Sequence, residues 1–222
     1  LATILAGSCI AQNACLNNEG DIASDSCTAL NSCNGNSATI GQGSCVSEEA
    51  CKDNMGEIGI GSCKGGSAAC RLNLASVGPS ACVGVNSCRR NAGAIEGSAC
   101  NDQNACLDNE GNIFSDSCTA LNSCNGNLAT ILAGSCIAQN ACLNNTGYIS
   151  LGSCTALGSC NGNSATIGPG SCGSQGACKD NSGEIGSGSC KGGFAVCRAN
   201  SASVGSGACV GDEACLRNAG AI

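Results

Sequence analysis

The chain has 222 residues, with 24 Cys, 34 Gly, no His, no Trp, one Tyr and two Phe; 9 basic and 16 acidic residues give a net charge of −7. Three large rings cannot fill a globule of this size, so an aromatic-rich core is excluded, and without His the usual general base and commonest metal ligand are missing. An acidic, ring-poor chain lacks the footprint of a nucleic-acid binder, and with no run of 18 apolar residues no membrane span is expected.

A first cysteine recurs at Cys9, Cys27, Cys45, Cys63, Cys82, Cys100, Cys118, Cys136, Cys154, Cys172, Cys190 and Cys209. A second follows at Cys15, Cys33, Cys51, Cys70, Cys88, Cys106, Cys124, Cys142, Cys160, Cys178, Cys197 and Cys215. The step is 18 residues, lengthened to 19 where Cys63 is followed by Cys70 and where Cys190 is followed by Cys197. These twelve units leave nothing over for another domain, so residues 1–222 read as one continuous repeat array.

Further along each unit stands an asparagine: Asn18, Asn36, Asn54, Asn73, Asn91, Asn109, Asn127, Asn145, Asn163, Asn181, Asn200 and Asn218. Two residues later comes only Gly or Ala, from Gly20 and Ala38 to Gly220, and two further on only Ile or Val, from Ile22 to Ile222. The residue before each first cysteine is Ser or Ala, and the one before each second cysteine is also small. Above this period lies another. Residues 1–18, LATILAGSCIAQNACLNN, recur unchanged at 128–145, an offset of 127 that equals seven units plus the one inserted residue. A seven-unit block has been duplicated, so that 1–95 matches 128–222.

Side chains fixed in type at an 18-residue step should stack on themselves. At about 3.3 Å per residue, 18 extended residues trace about 60 Å, enough for one closed circuit of three short sides. Units rich in Gly, Ser and Asn, without an apolar stripe at helical spacing, have no helical face. Gly/Ala followed two residues later by Ile/Val is the period-2 pattern of a half-buried strand. The predicted fold class is therefore all-β: a single β-solenoid (parallel β-helix) of twelve coils, with one in-coil disulfide each. The asparagine column is expected to form a corner ladder, each amide bonding those above and below.

Three readings compete for the cysteine pairs. A metal site needs converging ligands, usually C-x2-C with His; here the spacing is C-x5-C, His is absent, and the pairs are evenly spread. Free buried thiols acting as small core residues suit a reducing compartment. A disulfide within each coil pairs all the cysteines and is the favoured reading: two inward residues six apart can meet across a corner at the required separation. The chain-entropy model assigns about 2.4 kcal/mol to a loop of this size, and an oxidising, extracellular setting follows.

This in-coil C-x5-C framework resembles the insect hyperactive antifreeze proteins, short disulfide-filled β-solenoids that bind ice. The resemblance spans every unit, through Cys9/Cys15, Cys27/Cys33 and onward. That family carries Thr-Cys-Thr triplets whose threonine columns make the ice-binding face. The triplets here read Ser8-Cys9-Ile10, Ser62-Cys63-Lys64 and Ala99-Cys100-Asn101, so the scaffold is similar and the threonine columns are missing.

No enzyme is expected. The cluster of Glu48, Glu49, Asp53 and Glu57 near Lys52, and the pair Arg89 and Arg90, stand on varied outward columns and read as a solvated face. A Ser-His-Asp triad cannot be built without His, no P-loop is present, and neither cofactor nor metal is implied. One sequon, Asn144-Asn145-Thr146, makes the outward Asn144 a candidate for glycosylation.

Repeat arrays expose apolar interior at their ends unless capped, and no atypical capping unit stands at either end of this sequence. Self-association end to end, with identical chains or further repeats, is therefore expected. The function expected is that of an extracellular structural, filament or surface-coat protein forming a stiff rod; the alternative is an ice-binding protein.

Overall fold

The computed structural model describes residues 2–222; Leu1, first residue of the duplicated block, lies outside them. The chain forms two compact units, Leu1–Asn109 and Glu110–Ile222. Within each, successive repeats lie on one another in register, and the backbone bonds that join them recur coil after coil. In the first unit Cys9 N donates to Ser26 O at 3.2 Å, Cys27 N to Ser44 O at 3.1 Å and Cys45 N to Ser62 O at 3.1 Å. Bonds in the opposite sense alternate with these: Cys33 N donates back to Ala14 O at 2.7 Å, and Ile40 N to Asp21 O at 2.8 Å. The second unit repeats the scheme, with Cys136 N on Ser153 O at 3.1 Å and Ile167 N on Tyr148 O at 2.9 Å.

The all-β expectation is overturned. Among the described residues there is no helix, no extended strand and no sheet; the only β elements are isolated parallel bridges such as Ile22↔Ile40 and Ile149↔Ile167. The cause lies in the backbone. Every first cysteine sits in the left-handed region, at φ between 54° and 58°. At least three more left-handed residues follow in each coil, as Asn13, Asn17 and Asp25 follow Cys9, and Asn31, Gly35 and Gly43 follow Cys27. A strand needs φ near −120°, and a left-handed residue turns the chain instead. With corners this closely spaced the coil becomes a succession of turns, and bridges persist at the Ile/Val position and, once more, at Lys191↔Val210. The result is an irregular, disulfide-braced fold.

The interior is built from small and uniform groups. Ile22, Ile40, Ile113 and Ile131 are fully buried, as are Cys27 to Cys197, the Asn column from Asn36 to Asn200, and the serines preceding many first cysteines. The Gly/Ala column sets how closely coils approach: a Cβ on Gly20 would run into the backbone of Ala38, and one on Gly147 into that of Ala165. Glycine is needed there for space, since neither residue has a positive φ.

Candidate functional site

Each cysteine pair closes its own coil. Cys9–Cys15, Cys27–Cys33, Cys45–Cys51, Cys63–Cys70, Cys82–Cys88 and Cys100–Cys106 are bonded in the first unit, with Cα separations of 5.5–5.7 Å. Cys118–Cys124, Cys136–Cys142, Cys154–Cys160, Cys172–Cys178, Cys190–Cys197 and Cys209–Cys215 are bonded in the second, at 5.5–5.8 Å. No cysteine is free. Sulfurs of neighbouring coils come within 4.8 Å of one another, as in the Cys45, Cys51, Cys63 and Cys154, Cys160, Cys172 groups. All of these sulfurs are already joined in disulfides, so the groups are stacked cystines and not sets of thiolate ligands. Disulfides in this number belong to an oxidising environment.

Beside the cystines runs the asparagine column. Asn36 Nδ2 donates to Asn18 Oδ1 at 2.8 Å, Asn54 to Asn36 at 2.8 Å, Asn73 to Asn54 at 2.9 Å, Asn91 to Asn73 at 2.8 Å and Asn109 to Asn91 at 2.7 Å. In the second unit Asn145 donates to Asn127 at 2.9 Å, Asn163 to Asn145 at 3.0 Å, Asn181 to Asn163 at 2.9 Å, Asn200 to Asn181 at 2.9 Å and Asn218 to Asn200 at 3.0 Å. The second amide hydrogen holds the turn, reaching the carbonyl two residues on, as Asn54 does to Gly56 at 2.7 Å. A buried amide with both hydrogens and its oxygen engaged meets the demand that buried polar groups be paired.

A serine column, unrecognised in the sequence as more than a small residue, forms another ladder. Ser26 Oγ donates to Gly41 O at 2.8 Å and accepts from Ser44 N at 3.3 Å; Ser153 Oγ donates to Gly168 O at 2.8 Å and accepts from Ser171 N at 3.3 Å. Ala81 interrupts it: its N–H donates to Ser62 Oγ at 3.3 Å, and it has no hydroxyl to continue the ladder. The sequon residue Asn144 is exposed at a left-handed corner, φ 54°.

The outward columns carry the charge. In the first unit Glu49 takes both nearby cations: Lys52 Nζ lies 3.2 Å from Oε1 and Arg71 Nη1 2.9 Å from Oε2. One coil on, Arg90 grips Asp108 in a two-pronged pair at 2.5 and 2.6 Å; this hydrogen bonding and the carboxylate's charge raise the arginine's pKa above its ordinary value. Glu49 and Asp108 thus pair with cations of their own and neighbouring coils. In the second unit a shallow groove of 330 Å³ is lined by Asn161, Gln175, Lys179, Phe194 and Arg198. It contains no carboxylate among its lining residues.

Models of the family described as a domain of unknown function, DUF7640, match residues 1–68, 45–141, 86–192 and 134–222. The chain belongs to the DUF7640 family. The overlapping matches run across both units, as a DUF7640 motif repeated along a cysteine-rich array would give. No curated protein and no solved structure matches this DUF7640 chain. No helix among its described residues is long and apolar enough to cross a membrane.

Proposed function

We propose that the protein is an extracellular structural or surface-coat element, with a role that is mechanical and not catalytic, and that its arrays extend by end-to-end addition of identical chains or further repeats. The observation that carries this reading is where regularity resides. Cystine, asparagine, serine and isoleucine columns recur inside, while outward positions change from coil to coil, as Ile10, Thr28, Val46 and Lys64 do. A protein selected to recognise a repeating target needs an unchanging outer column as well. Cross-linking each coil limits what the unfolded chain can explore, which suits material that must persist outside a cell.

Electron microscopy of native material tests the proposal: extended assemblies are expected, and compact isolated particles at all concentrations would overturn it. Thermal hysteresis or blocked ice recrystallisation by the purified protein would favour ice binding in its place.

A further inference from the structure

The duplication places two versions of one surface on the same scaffold, and they differ where charge is decided. At the offset of 127, Lys52 corresponds to Lys179 and Arg71 to Arg198, so both cations are kept. Glu49, which neutralises both in the first unit, is replaced by Gly176. Glu48 becomes Gln175, and Ser67 of the longer coil becomes Phe194. Three changes in one patch remove two carboxylates and add an aromatic ring. Among the described residues neither Lys179 nor Arg198 has an ion-pair partner.

The ring is presented, not buried. Phe194 is 52% exposed, while its backbone is held on both sides: its N–H donates to Asp212 Oδ1 at 2.8 Å and its carbonyl accepts from Glu213 N at 2.9 Å. A backbone held in this way need not be ordered on binding. Beside it the groove offers Asn140, Asn161 and Gln175, whose amides both donate and accept, and the two cations.

We propose that this groove of the second unit binds an acidic oligosaccharide. An apolar ring face suits the C–H face of a pyranose, amides suit its hydroxyls, and Arg198 with Lys179 suits carboxylate or sulfate. In a chain of net charge −7, a groove lined by Lys179 and Arg198 and by no acid favours an anion, although Asp180 and Glu213 line the adjoining groove that shares Phe194 and Arg198. The first unit carries the disabled counterpart. The site is independent of the structural reading above and would give a coat element its attachment to acidic glycans.

The test is calorimetric titration of the full chain with an oligogalacturonate hexamer, a heparin hexasaccharide and, as neutral reference, cellohexaose. At least one anionic probe is expected to bind at least tenfold more tightly than cellohexaose, and which one separates carboxylate from sulfate as the recognised group. Gly176→Glu restores the quenching carboxylate and should weaken that binding at least tenfold. It should lower the melting temperature slightly while leaving the fold intact, because Gly176 sits at φ 67°, where an L residue is strained, and Glu49 occupies the matching corner at φ 53°. Phe194→Ser and Lys179→Gln, both surface changes, should each weaken binding, and Glu48→Gln, Glu49→Gly and Ser67→Phe together should add a second site to the stoichiometry. Equal binding of charged and neutral probes, or undiminished binding by Phe194→Ser and Lys179→Gln, overturns the proposal.

Discussion

Asn163 Nδ2 donates to Asn145 Oδ1 at 3.0 Å and to the carbonyl of Ala165 at 2.7 Å, while its own Oδ1 accepts from Asn181 at 2.9 Å. One side chain thus serves three partners inside a fully buried column. Asn163→Ala strands all of them, and at about 1–3 kcal/mol for each buried group left unpaired, a loss of about 3 kcal/mol or more is expected in guanidinium unfolding. Asn163→Asp should cost at least as much at neutral pH, because its second oxygen would face the Asn145 and Ala165 oxygens.

The two serine columns should respond oppositely to the same change. Ser153→Ala removes a hydroxyl that donates to Gly168 O and accepts from Ser171 N, and should cost about 2 kcal/mol. Ser32, Ser87 and Ser123, which precede second cysteines, are buried with hydroxyls that make no hydrogen bond. Alanine stands at the matching places Ala14, Ala50 and Ala105, so Ser123→Ala should be neutral or stabilising by the same measurement.

Removing one cystine separates cross-linking from backbone strain. Cys118→Ala with Cys124→Ala should lose about 2 kcal/mol by the chain-entropy model. Cys118 sits at φ 54°, where an L residue costs about 1–2 kcal/mol. Cys118→Gly with Cys124→Ala should therefore be the more stable double variant by about 1 kcal/mol. Equal stability of the two would show that the corner carries no such cost.

Leu72 occupies a left-handed corner at φ 57°, where other coils place Asn17, Gly35, Asp53 and Gly126. Leu72→Asn should raise the melting temperature, with a gain of about 1 kcal/mol.

These corners explain what the sequence made legible and what it concealed. The constant columns were visible because Asn, Ile and Cys do not vary, and those residues lie inside. The corners varied in identity, yet Asn13, Asn31, Asn86 and Gly158 share the tolerance for positive φ that such positions require. Read as free variation, that column hid the turns, and Gly/Ala-x-Ile passed for a strand. The left-handed first cysteines carry no compositional signal, since cysteine is not a residue favoured there; the demand of closing the coil imposes them. The groove escaped notice for another reason. Its cations resemble a solvated face until the two copies are laid side by side and Gly176 is seen where Glu49 had been.

Within each unit the asparagine amides point one way. In both units each Nδ2 reaches toward the coil that precedes it in the chain and each Oδ1 toward the coil that follows. The column is thus a vector, with hydrogens facing one direction and lone pairs the other. Two such columns brought together in opposite senses would set oxygen against oxygen or hydrogen against hydrogen, so the end-to-end addition proposed above requires head onto tail.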